Sequence, residues 1–264
     1  MGPAAVAGRL PRGRAPRLAA AALDGTLTFS SAGGPVVAVC GLVGGAGAST
    51  LAYLLARRAA RHSTAPVLLA ELQEHAALAA IAGTGSPLGL RELALVVEQE
   101  RQPARPFAEL PGGLRLVSSS SPMFSGPVSA PALPQLLADA QQVHGLVVVD
   151  AGTLQGPDSR AVIDTASHVL YVLPATVAAL RRAELLAAAG ILDRTAGTVA
   201  ALVAVATVPS RGPLKQIRQL AERHIDRLLL VPHIRELAAG RHDQAEVRLE
   251  DTFACLATLL RRPR

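Results

Sequence analysis

The stretch Gly41-Leu42-Val43-Gly44-Gly45-Ala46-Gly47-Ala48-Ser49-Thr50 decides how this chain is read. It follows residues 35–40 (PVVAVC), an apolar run that predicts a buried strand, and precedes residues 50–61, which predict a helix ending in a basic turn. Glycines at 44, 45 and 47 permit a tight turn whose backbone N–H groups point inward as an anion nest. The helix that starts near Ser49 adds free N–H donors and the positive end of its dipole. The hydroxyls of Ser49 and Thr50 suit magnesium and phosphate. A turn of this kind reads either as a phosphate cradle or as a bare joint between strand and helix.

The same alternation continues outward. Residues 66–70 (PVLLA), 114–118, 145–150 (GLVVVD), 168–173 (HVLYVL), 200–206 (ALVAVA) and 227–231 (RLLLV) predict further strands. Helices are expected over 88–101, 131–143, 176–189, 213–225 and 247–261, with a Ser/Pro/Gly loop over 119–129. Strands alternating with helices of this length predict an α/β fold: a mostly parallel, doubly wound sheet with helices on both faces. No repeat of fixed period is present, which excludes a solenoid.

Composition fits that architecture. Half of the 264 residues are apolar but only 2% are aromatic, so the core must be built from Ala, Val, Leu and Ile. Parallel strands buried on both faces take such residues. Cys40 and Cys255 are far apart, which argues against a disulfide framework, a zinc site or an iron–sulfur cluster and favours a reducing, cytoplasmic setting. The net charge of +6 comes almost wholly from arginine, Lys215 being the only lysine. No run of about 20 apolar residues occurs, so no transmembrane segment is expected. Residues 1–34, rich in Arg, Pro, Ala and Gly, are expected as a disordered basic tail ahead of a domain over 35–264.

On these residues the chain resembles the ParA/MinD superfamily of P-loop ATPases. That superfamily carries a deviant Walker A loop, K-G-G-x-G-K-[ST]-[ST], after its first strand. The matching residues are Val43, Gly44, Gly45, Ala46, Gly47, Ala48, Ser49 and Thr50. The glycines and hydroxyls are kept; the Walker lysine falls on Ala48 and the signature lysine on Val43. Val147-Val148-Val149-Asp150 is similar to the family's Walker B strand. Glu71-Leu72-Gln73-Glu74-His75 stands where the family has D-x-D-P-Q, with Gln73 in place of the acid that helps position water. Residues 178–183 (AALRRA) and Leu230-Val231-Pro232-His233 resemble the helix after the family's fifth strand and its late strand with proline. Ala206 or Thr207 occupies the place of an adenine-reading asparagine. The lysine-free loop is similar to that of CpaE- and TadZ-like proteins and actinobacterial septum-site proteins.

The resemblance implies ATP or ADP with magnesium, bound weakly or not at all, held by residues 44–50, with Ser49 and Asp150 on the metal. Each missing lysine removes a charged hydrogen bond of about 1.5–3 kcal/mol. A transition-state cation of the signature-lysine kind is worth about 10³–10⁵ in rate. No catalytic residue is therefore assigned, unless an arginine such as Arg57, Arg58 or one from a partner subunit substitutes. The leading expectation is a degenerate ATPase, a homodimer that positions or scaffolds a partner in pilus, secretion, conjugation or division machinery. The alternative is an active ATPase of plasmid partition that binds non-specific DNA through Arg211, Lys215 and Arg218, which lie at helical spacing. A membrane-surface role is disfavoured, because Glu250 and Asp251 lie opposite the apolar stripe Leu249, Phe253, Leu256, Ala257 and Leu260.

Overall fold

The computed structural model describes residues 26–72, 76–98, 106–119, 132–154, 156–193, 197–206, 213–225 and 227–261. Within them the apolar runs form strands β1 (Val36–Gly41), β2 (Val67–Glu71), β3 (Ala108–Leu110), β4 (Leu114–Val117), β5 (Leu146–Thr153), β6 (His168–Pro174), β7 (Val199–Val205) and β8 (Arg227–Val231). They make one sheet in the order β3-β4-β2-β5-β1-β6-β7-β8. Every neighbouring pair is parallel except β3 with β4.

The side-chain period of two sends alternate residues of each strand to opposite faces. Val37, Val39, Leu69 and Val148 pack under α1 (Ala48–His62), α2 (Ala77–Ala82), α9 (His242–Arg248) and α10 (Glu250–Leu260). Ala38, Ala70, Val147 and Val149 pack under α3 (Leu90–Glu98), α4 (Ala132–Val143), α5 (Pro157–Thr165), α6 (Val177–Ala188) and α7 (Leu214–His224). A short α8 (Arg235–Ala238) follows β8. The doubly wound α/β architecture expected from the strand–helix alternation is the one observed.

Three local expectations change. The helix expected over 247–261 is two helices, α9 and α10, broken at Leu249, which sits in the bridge region (φ −100°, ψ 8°). Leu249 is buried there, and the stripe it begins does face the sheet as its spacing requires. Strand β3 was not foreseen: three residues carry no readable periodicity, and only their antiparallel pairing with β4 defines them. Helices α2 and α8, of six and four residues, were missed for the same reason of length, and α5 was not foreseen either.

The third change concerns the boundary of the expected tail. Residues 26–34 lie on the domain: Leu27 is buried in the core under α1 and α10. The Phe29 amide donates to Ser63 Oγ at 2.9 Å, and the Ala65 amide donates to the Phe29 carbonyl. The amides of Gly33 and Gly34 donate to the carbonyls of Gln141 and His144 at the end of α4. Gly34 is required by close approach, since a Cβ there would stand 1.5 Å from the Gly145 carbonyl oxygen. The strap thus crosses the edge of the sheet where the parallel strands begin. Residues 1–25 lie outside the described residues.

Candidate phosphate-loop site

The loop leaves β1 at Gly41 and enters α1 at Ala48. Gly45 (φ 71°) and Gly47 (φ 88°) take left-handed backbone, the conformation their positions in the turn anticipate. Gly47 is the N-cap of α1 and offers no side-chain cap, and the first turn holds no acid. The first intrahelical bond runs from the Leu51 amide to the Gly47 carbonyl at 2.9 Å. By helix geometry the amides of Ala48, Ser49 and Thr50 have no partner within α1. Gly44 and Gly45 are exposed at the rim. A fifteen-residue helix thus presents an uncapped positive end beneath a glycine turn, an arrangement that favours an anion.

The side chains of the loop are apolar and turned inward. Ala46 and Ala48 are buried in the core beneath α1, and Val43 packs, half-buried, against both core clusters. A Cβ added at Gly41 would meet the Val43 carbonyl oxygen at 3.1 Å and the methyls of Ala46 and Ala48 at 3.6 and 3.7 Å. The two positions that carry lysine in the resembling family therefore serve packing.

Asp150 stands on the neighbouring strand and is 2% exposed. The β1–β5 register pairs Val39 with Asp150 but Cys40 with Gly152, so Ala151 is an extra residue in β5. That bulge lets the Gly152 amide donate to Asp150 Oδ1 at 3.0 Å. Ser49 also hydrogen-bonds this carboxylate. Burial pushes the Asp150 carboxyl above the usual aspartate range, the Ser49 and Gly152 hydrogen bonds oppose that shift, and the nearby Glu71 carboxylate adds to it. Ser49 and Asp150, distant in sequence, are thus brought together as the motif anticipates. One hydroxyl and one carboxylate, both hard oxygen donors, fit magnesium, which would neutralise phosphate charge at this place. Among the described residues no cluster of three or more His, Cys, Asp or Glu is placed to hold a metal by itself.

Glu71 is used differently from its motif counterpart. It lies beside Asp150 in the β2–β5 register, yet both its oxygens are taken. Oε1 accepts from the Ala77 amide at 2.8 Å; Oε2 accepts from the Leu78 amide at 3.1 Å and from the Ser118 hydroxyl. It holds the start of α2, a role no local pattern announced. Gln73, Glu74, His75, Thr207 and Arg211 lie outside the described residues.

The surrogate arginines named from sequence are not at the site. Arg57 and Arg58 sit nine and ten residues into α1, about 14 Å along its axis from the loop. Arg57 pairs with Asp243, and its Nε lies 3.4 Å from Glu246. Arg58 pairs with Glu250 at 2.6 Å, and Arg61 reaches Glu246 at 2.7 Å and Asp243 at 3.0 Å. These arginines bind α9 and α10 to α1.

No protein-family model matches the chain, and no curated protein matches it in sequence. Solved structures do match in shape. A ParA family ATPase from Chlorobium tepidum aligns with TM-score 0.65 and 15% identity over 85% of this chain and 98% of its own. The ATP complex of a Cyanothece McdA variant aligns with TM-score 0.65 and 16% identity over 89% of this chain and all of its own. A MinC:MinD cell division protein complex from Aquifex aeolicus aligns with TM-score 0.60 and 15% identity over 85% of this chain and 96% of the matched chain. At these identities the likeness is one of architecture, and it agrees with the sheet order and loop described above: the chain has the ParA/MinD-like P-loop ATPase fold.

Proposed function

We propose that this chain is a degenerate ParA/MinD-like P-loop protein, which binds ATP or ADP with magnesium weakly and hydrolyses little or none. The observation that carries this reading is the combination at one loop: an uncapped helix end and glycine turn beside the Ser49–Asp150 pair, with buried apolar side chains at Val43, Ala46 and Ala48. Backbone amides and a metal can hold phosphate, but no lysine stands there to neutralise charge that grows in the transition state. Engagement of Arg57 and Arg58 with α9 and α10 removes the two named substitutes.

In this reading the protein is a cytoplasmic homodimer and a positioning or scaffold factor, with a protein partner in a pilus, secretion, conjugation or division assembly. The lysine-free loop favours CpaE- and TadZ-like members. The Cyanothece and Aquifex neighbours, bound respectively to ATP and to MinC, supply the precedents for nucleotide and protein partners. The alternative, an active partition ATPase on non-specific DNA, needs a cation at the loop and a basic face on α7. Lys215 and Arg218 are exposed there while Ile217, Leu220 and Ala221 face the sheet, as in any solvated amphipathic helix.

Calorimetry with ATP and ADP, with and without magnesium, tests the first part; a phosphate-release assay tests the second. Weak magnesium-dependent binding with turnover at the blank is expected. Magnesium-dependent turnover abolished by Asp150→Ala would overturn the degenerate reading, and absence of any binding would make the loop a bare joint.

A further inference from the structure

Gly33 and Gly34, the last residues of the strap, are fastened to a single turn, residues 141–145 at the end of α4. The Gly33 amide donates to the Gln141 carbonyl at 2.9 Å and the Gly34 amide to the His144 carbonyl at 3.3 Å. The Gln141 side-chain amide returns a bond to the Gly34 carbonyl at 2.7 Å. The fit has no slack: a Cβ on Gly34 would stand 1.5 Å from the Gly145 carbonyl oxygen, and a Cβ on Gly145 would stand 2.8 Å from that of Phe29. From the inner side the His144 ring, buried at 5% exposure, pins the same turn. Its Nδ1 donates to the Ala140 carbonyl at 2.7 Å, so the lone pair lies on Nε2, 3.3 Å from an Nη1 of Arg115 on β4. Arg115 is held in turn 4.6 Å over the Phe107 ring.

We propose that His144 is an acid-sensitive latch for the strap: protonation of its ring breaks the link to Arg115 and releases residues 26–34 from the edge of the sheet. A neutral imidazole accepts from the guanidinium, whereas an imidazolium carries a hydrogen on Nε2, so two donors of like charge then face each other. The strap itself offers no counter-charge, because residues 26–34 contain no titratable side chain. Glu109, opposite Arg115 in the β3–β4 register, is exposed, and Asp139 on α4 is exposed and bonded to Gln135. Burial holds the imidazole below the usual histidine range; the Ala140 carbonyl opposes that shift and Arg115 adds to it. The docked state therefore binds fewer protons than the released one. Docking is at full strength above the free-histidine pKa of about 6.5 and weakens as pH falls below it. A charged ring must leave its buried site, which displaces the 141–145 turn, and the close contacts at Gly34 and Gly145 pass that displacement to the strap. Burial of Leu27 opposes release, so the open form is read as exchange of strap amides. The inference is independent of what the phosphate loop binds.

The test is hydrogen exchange of the full chain by mass spectrometry from about pH 7.5 to about pH 5.5, either side of that histidine value, with rates corrected for the intrinsic effect of pH. Peptides over 26–34 should lose protection by up to about tenfold per pH unit below about pH 6.5, while β1 and β5 keep theirs. His144→Gln, uncharged throughout, should make strap protection independent of pH. Arg115→Gln should do the same, since its amide oxygen can accept from a protonated Nε2, and it decides alone should His144→Gln fail to fold. Strap protection that ignores pH in the unmodified chain, an acid loss that persists in a folded variant, or a loss shared equally by β1 and β5 would overturn the proposal.

Discussion

The two ends of α1 put opposite chemistry on one helix. Its first turn has no cation, no acid and no side-chain cap, and opens under exposed glycines. Its last turns carry Arg57, Arg58 and Arg61, matched by Asp243, Glu246 and Glu250. Cations at a helix C-terminus are favoured by the dipole, and here they also fasten two further helices. Positive charge on this helix is thus spent on assembly of the fold, while the phosphate end relies on backbone amides. In a P-loop ATPase the more usual division puts a lysine at the phosphate end.

The largest expected effect comes from breaking the assembled end. Glu246 is 3% exposed and pairs with two arginines, so Glu246→Ala removes the buried carboxylate of this network and leaves Arg57 and Arg61 with the exposed Asp243 alone. A loss of about 3–5 kcal/mol is expected by urea denaturation. Asp243 joins the same network but its side chain is 77% exposed, and Asp243→Ala should cost about 1 kcal/mol or less. Equal losses for the two would show that burial is not what separates them.

At the phosphate end the corresponding change is a gain. Ala48→Lys should tighten nucleotide binding by about 1.5–3 kcal/mol, roughly tenfold to a hundredfold by calorimetry, with turnover still at the blank because Val43 is unchanged. Ala48 is buried, so the new side chain must run out of the cluster beneath α1, and a lowered melting temperature should accompany the gain. Unchanged affinity would remove the nucleotide reading.

Two smaller effects sharpen the contrast. Gly34→Ala drives a methyl into the Gly145 carbonyl beside the basic end and should cost about 1–3 kcal/mol in thermal unfolding. Asp150→Asn should act by pH. Because burial raises the folded-state pKa of Asp150 above its unfolded value, the native state binds more protons through that window and stability falls as pH rises through it. The substitution should therefore stabilise the protein modestly at neutral pH and lose that advantage below the unfolded aspartate pKa. An advantage that persisted in acid would assign the effect to packing.

Much of the fold was legible because its signals are local. The run 145–150 predicted β5 through Asp150, but the strand continues to Thr153, since the bulge at Ala151 depends on pairing with β1. The run 227–231 matches β8 at both ends. Residues 26–34 were not legible as part of the domain: their anchors are one buried leucine and backbone bonds to distant loops, neither of which leaves a period. Glu71 keeps a carboxylate at the end of β2 as read from sequence, but its place beside Asp150 and its commitment to α2 depend on strand pairing and on Ser118, just past β4.

By itself the sequence determined the alternation of strands and helices, the glycine turn before α1, and the absence of lysine from it. These follow from residue type and spacing within a few turns of chain. Tertiary structure alone decided that Ser49 meets Asp150, that Glu71 caps α2, and that Arg57 and Arg58 are bound 186 and 192 residues away by Asp243 and Glu250. Charged side chains take whichever partner the packed helices place within reach, and that choice is made by burial and geometry across the fold, which no local pattern encodes.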